Sequence, residues 1–152
     1  MSESPEMVLA YWSEHRAQLR QSESQRAVMT NYILLITTAV SGFIVQQNLK
    51  PATITLSLLI AFIGLYGAVA AAKYHERAEY HLFQARALTR VLIELEALGD
   101  HSEVLADARQ IHRTKYPRMN RLRLHKLWTG LHGAIAVYGV VLTVVTLARA
   151  GS

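Results

Sequence analysis

Charged and apolar side chains are sorted into long blocks along this chain. Residues 27–49 (AVMTNYILLITTAVSGFIVQQNL), 52–72 (ATITLSLLIAFIGLYGAVAAA) and 127–148 (LWTGLHGAIAVYGVVLTVVTLA) each run for at least 21 residues without a charge. A hydrocarbon core about 30 Å thick is crossed by roughly twenty helical residues rising about 1.5 Å each. The pattern therefore predicts three membrane-spanning helices.

The remaining segments also read as helices. Residues 6–26 form a polar helix leading into the first span, with Val8, Trp12 and Leu19 as a weak apolar stripe. Asn48-Leu49-Lys50-Pro51 predicts a tight turn, because proline suits the first position of the helix that follows. No breaker follows the second span. Ala78, Leu82, Ala85, Leu88, Leu92 and Leu95 recur at spacings of three and four, which is one helix face. The second helix is therefore expected to continue past the membrane to about Leu98, with Gly99 as its stop. Asp100 and Glu103 can cap a further helix that carries Val104, Ala108 and Ile111 on one side and ends at Pro117. A short basic helix is then expected before the third span. The predicted fold is an all-α membrane protein with three transmembrane helices and cytoplasmic helical extensions, completed as a homo-oligomer. It is organised as an N-terminal helix (1–26), a transmembrane hairpin (27–72), a helical middle segment (73–126), and a third span with its tail (127–152).

Charge adds an orientation. Of the 16 Lys and Arg residues, three lie in the N-terminal arm and eleven in the middle segment, against Lys50 and Arg149 on the opposite side. The positive-inside bias places both basic segments in the cytoplasm and the C-terminus outside. The first span is preceded by Glu3, Glu6, Glu14 and Glu23 rather than a short basic region, so it is expected to stay in the mature protein. The chain has no cysteine, which removes disulfides and thiolate metal sites from consideration.

Several patterns carry candidate chemistry. In the first span, Thr30, Thr37, Ser41 and Asn48 fall within about 40° of one another at 100° per residue. They are candidate pore-lining residues. The plainer alternative is that each hydroxyl bonds its own i−4 carbonyl or a neighbouring helix. Ser57, Gly64, Gly67, Ala68 and Ala71 give the second span a small-residue face, and Gly130, Gly133 and Ala134 suggest another on the third. The first is expected to pack within the hairpin, or alternatively between subunits. Residues 109–126, RQIHRTKYPRMNRLRLHK, hold seven Lys or Arg and no acid. Arg109, Arg113, Lys115, Arg118, Arg121, Arg123, His125 and Lys126 are candidate ligands for an anionic nucleotide or oligonucleotide, with His112 and Tyr116 available to stack on a base. The alternative is a juxtamembrane segment that sets topology and touches anionic lipid. HERAEYH (residues 75–81) lacks the HExxH spacing of a zinc site; His75 and Glu79 make an i,i+4 pair, and a solvated helix face is favoured. His132, one turn inside the third span, is expected to face water or to donate to a partner helix. No phosphate-binding loop and no nucleophile with a base is visible, so no enzyme activity, cofactor or metal is expected.

The arm YWSEHRAQLRQSESQR, the hairpin with its tight link, and the long helix KYHERAEYHLFQARALTRVLIELEAL together resemble the SLATT family of small bacterial membrane proteins, over roughly residues 8–98. That resemblance implies a bacterial inner-membrane effector of nucleotide-second-messenger defence against phage. It also implies membrane disruption or channel formation triggered by nucleotides from a partner synthase. On this chain the hairpin would line the pore, through Thr30, Thr37 and Ser41, and the cytoplasmic helices would sense the signal. The third span and its basic approach depart from the family's two-span layout. Two other readings stand beside it. One is a non-conducting scaffold recruiting a soluble partner through Leu82, Leu88, Leu92 and Leu95; the other is a holin-like lysis protein.

Overall fold

The computed structural model of the chain describes residues 4–97, 99, 101–117 and 123–151, with Ser102 described in its backbone only. The regular elements among them are helical: α1 (Pro5–Gln46), a 3₁₀ turn (Pro51–Thr53), α2 (Ile54–Glu94), α3 (His101–Lys115) and α4 (Leu124–Ala150). The arm and the first span are one helix of 42 residues. The second span and its extension are likewise continuous, as the unbroken pattern predicts.

α1, α2 with its 3₁₀ turn, and α4 are long and apolar enough to cross a membrane. Their most apolar windows are at most 28% buried, so most of that surface faces outward. Leu35, Phe62 and Val137 are each more than 60% exposed. Lipid tolerates such a surface, and helices satisfy their own backbone hydrogen bonds there. The architecture is that of a multi-pass membrane protein.

Both long helices end in the same way. At the end of α1, Leu49 N–H donates to Ile44 O at 3.2 Å and Asn48 N–H to Val45 O at 2.9 Å. At the end of α2, Ala97 N–H donates to Leu92 O and Glu96 N–H to Ile93 O, both at 3.0 Å. These are Schellman caps, which need a left-handed residue after the last turn. Asn48 (φ 54°) and Glu96 (φ 53°) supply it. The second helix thus stops at Glu94 and not at Leu98. Gly99 is also left-handed (φ 48°) but lies beyond the cap.

The chain packs as two compact units. The first combines α1 through Glu23 with Glu76–Leu124. In it Val8, Ala78, Ala85 and Leu92 are buried, and Trp12 Nε1 donates to Thr89 Oγ1 at 3.0 Å. The leucine face of α2 is therefore largely internal packing. On α3, by contrast, Val104 and Ile111 are 67% and 66% exposed, so the expected apolar stripe faces outward. The basic helix expected before the third span falls on residues 118–122, outside the described residues; Pro117 and Arg123 are non-helical and α4 begins at Leu124.

The second unit combines Ser24–His75 with the chain from His125 onward. Its core is Ile33, Ile44, Ile60 and Ile135, with Leu49 packed against them. Ser57, Gly64, Gly67 and Ala71 are buried on α2, but the face expected to pack within the hairpin meets α4 at Gly64, and both α4 and α1 at Gly67. A Cβ on Gly64 would lie 2.3 Å from Ala136 N, and one on Gly139 would lie 2.3 Å from Ala61 N. α2 and α4 therefore touch backbone to backbone through two copies of Ala-x-x-Gly, at 61–64 and 136–139. This corrects the expectation for the third span: Gly130 and Gly133 have nothing within 4 Å of a built Cβ, and Ala134 is exposed. Dispersion between close backbones drives association in lipid, and Gly64 and Gly139 allow it here.

Candidate functional site

The polar stripe of α1 faces the interior of the membrane unit. Thr30 is 1% exposed and Thr37 9%, and Ser41 is half-buried. Asn48 does not continue the stripe, because it sits past the end of α1 in the left-handed cap and is exposed. The hydroxyls divide into two kinds. Thr30 Oγ1 donates to Arg26 O at 2.9 Å. Exposed Thr38 donates to Leu34 O, and Thr143 and Thr146 on α4 donate to Gly139 O and Leu142 O, all within 3 Å. Back-bonding of this kind removes a hydroxyl's polarity from the membrane. Thr37 Oγ1 and Ser41 Oγ are also buried, yet neither has a partner among the described residues.

Above them the line continues through groups from two helices. His132 is wholly buried, and its Nε2 lies 3.1 Å from Thr30 Oγ1. The Thr30 proton is directed at the Arg26 carbonyl, so the consistent tautomer carries its proton on Nε2 and donates it to Thr30. Nδ1 is then a bare acceptor, and it has no partner among the described residues. It is pressed against α2, where a Cβ on Gly67 would lie 2.5 Å from it. Any side chain at position 67 would displace the ring. One turn before Thr30, Arg26 is only 6% exposed. Its guanidinium carbon is 5.4 Å from the Trp128 ring centroid, a cation–π contact strengthened by removal from water. Arg26 Nε and Trp128 Nε1 are both buried without partners among the described residues. From Arg26 to Ser41 the line spans fifteen residues of α1, about 22 Å at 1.5 Å each, most of a bilayer's apolar depth. Ile33, between Thr30 and Thr37 on α1, belongs to the isoleucine core, and Ile44 lies three residues past Ser41.

The described residues of the basic segment are divided between the two units. Arg109, Arg113 and Lys115 lie exposed on α3, and Arg123 is exposed outside any helix. Arg109 Nε donates to its own Leu105 O at 3.2 Å. Lys115 Nζ sits 5.6 Å from the Tyr116 ring, and the rings of His112 and Tyr116 lie 5.4 Å apart. His125 and Lys126 open α4 and belong to the membrane unit, where His125 stacks on His75 at 3.8 Å. Arg118 and Arg121 lie outside the described residues. Of the named cations, Arg109 is gathered into a larger group, around a recess it shares with Arg16, Arg86 and Arg90.

Arg26, Trp128 and the three additional arginines are functional candidates that sequence reasoning passed over. Arg26 had a readable signal, since it precedes Thr30 by four residues and so shares its face. Comparison with known proteins gives no matching family model, no similar curated protein and no similar solved structure.

Proposed function

We propose that the protein is an oligomeric effector of the bacterial inner membrane that conducts ions when an anionic nucleotide engages its basic cytoplasmic face, in defence against phage. The observation that carries this reading is the buried polar line of the membrane unit. In lipid an unpartnered polar group costs several kcal/mol. A bundle built only as an anchor gains nothing from keeping Thr37, Ser41 and the Arg26 Nε in that condition. A bundle that must at times pass ions needs such groups along the path, separated at rest by an apolar plug. Ile33, Ile44, Ile60 and Ile135 are that plug. The resting arrangement is closed, and opening requires the three spans to part around the isoleucines.

The charge asymmetry supports a cytoplasmic location for the N-terminal arm and α3. The nucleotide is supplied by a partner synthase, in keeping with the SLATT-like layout. The scaffold reading is weakened, because Leu92 is buried and Leu82 and Leu88 are half-buried within the subunit, with Leu95 alone of the four exposed.

Proteoliposomes loaded with a potassium-sensitive dye test this directly. Flux is expected from the parent chain when a nucleotide trigger is present. Thr37→Leu with Ser41→Leu should abolish it while insertion and melting are retained. Unchanged flux in that double variant would remove the polar line from the conduction path.

A further inference from the structure

The extramembrane unit contains a recess of about 720 Å³ whose rim carries Arg16 from α1, Arg86 and Arg90 from α2, and Arg109 from α3. Among the described residues no acidic side chain borders it. Three helices converge there, so the fold and not a run of basic sequence assembles the cluster. Arg16 lies 5.7 Å from the Trp12 ring, and Arg109 uses its Nε on a main-chain oxygen. Among the described residues none of the four is paired with a carboxylate. All four cations are arginine, which stays charged at any physiological pH and offers planar forks matched to phosphate. Between them the wall is apolar, with Phe83 and Ile93 60% and 43% exposed. An exposed phenylalanine beside guanidinium groups is the arrangement that stacks a nucleobase. The volume falls within the roughly 300–1,000 Å³ of small-molecule sites.

We propose that this recess binds a nucleotide, with Arg16, Arg86, Arg90 and Arg109 holding its phosphates and Phe83 stacking on its base. The site replaces the linear basic segment as the place where the anionic signal is received. It rests on the reading above only for the consequence of binding, which is opening; binding stands by itself.

Calorimetry on the full-length protein in detergent micelles, with ATP and inorganic triphosphate as probes, tests it. ATP is expected to bind more tightly than triphosphate. Arg86→Gln with Arg90→Gln, both exposed positions, should weaken both probes at least tenfold at an unchanged melting temperature. Arg86→Lys with Arg90→Lys should recover part of the affinity, because charge is kept and the fork is lost. Phe83→Ala should weaken ATP about tenfold and leave triphosphate unchanged. Arg113→Gln with Lys115→Gln should alter neither. Absence of binding by both probes, or an equal loss in the Arg113/Lys115 variant, overturns the site. Nanodiscs with and without phosphatidylglycerol separate the two phosphate sources: lipid enrichment that needs Arg86 and Arg90, with no ATP binding, overturns the nucleotide in favour of a headgroup. Tight ATP binding without any change in potassium flux leaves the site standing and refutes the proposed trigger.

Discussion

Substituting alanine for Gly64 places a methyl carbon 2.3 Å from Ala136 N, 2.7 Å from its Cα and 2.9 Å from Ile135 C. Ordinary contact is about 3.5–4.0 Å, and the obstructing atoms are main chain, which cannot rotate away. α2 and α4 must therefore separate by about 1 Å. A gap of that size forfeits roughly a quarter to a half of each pairwise dispersion well. With about thirty pairs at roughly 0.15 kcal/mol each, the loss is about 1–2 kcal/mol, in the range known for overpacked cores. Alanine's better helix propensity offsets up to about 1 kcal/mol of it. Gly64→Ala and Gly139→Ala should each lower the melting temperature in micelles, by about 2–4 °C per kcal/mol of net loss. Gly130→Ala and Gly133→Ala, with open space at the new methyl, should leave it unchanged or raise it. Because one separation of the helices relieves both clashes, the Gly64/Gly139 double variant should cost less than the sum of the singles. A Gly64→Ala protein that melts at or above the parent temperature would refute backbone contact at this crossing.

Four further outcomes are expected. Glu96→Gly should stabilise the protein by about 1 kcal/mol, since a left-handed position costs a residue with a side chain roughly that much; slower hydrogen exchange in the last turn of α2 is the readout. A double-mutant cycle between His132→Ala and Thr30→Val should give a coupling of about 0.5–2 kcal/mol, and a coupling near zero would mean the 3.1 Å contact contributes nothing. Gly67→Ala should push the His132 ring from its seat and alter that coupling. Finally, in the extramembrane unit, His15 Nδ1 and His81 Nδ1 lie 3.1 Å apart. Burial first, then the neighbouring His15 and Arg77, lower the His81 pKa below its usual 6.5, opposed by Glu14. A depressed histidine pKa means the unfolded chain protonates first. Stability from this group is complete above about pH 6.5 and falls as the pH drops below it. Melting at pH 5 should be lower than at pH 7.5, and His81→Gln should reduce the difference.

The spans were legible because lipid sets both their length and their lack of charge, and a single sequence displays both. The continuous α2 was legible for a related reason: the leucine spacing simply never breaks. Arg26 was passed over because a charge was read as the edge of the membrane, although its spacing to Thr30 put it on the interior face. The Thr30–His132 pair depends on the axial register between α1 and α4, which no local pattern encodes. The third span carries small residues on several sides, and Gly130, Gly133 and Ala134 pointed to the wrong one; the repeated Ala-x-x-Gly at 61–64 and 136–139 was the distinguishing signal. Glu96, and not the expected Gly99, takes the left-handed cap position, because the cap falls where the last turn's carbonyls are. Four arginines from three helices around one recess are a property of tertiary structure alone.

The turn between the first two spans has a mechanical consequence. Asn48 and Leu49 are consecutive left-handed residues, Lys50 is extended ahead of Pro51, and Leu49 is tucked into the isoleucine core. Such a knot leaves no slack for the two rods to slide or splay at that margin of the membrane. It acts as the rivet of a pair of tongs. Any splaying of α1 from α2 must grow with distance from the rivet, and is greatest toward the far end of the hairpin, where Arg26 lies on α1.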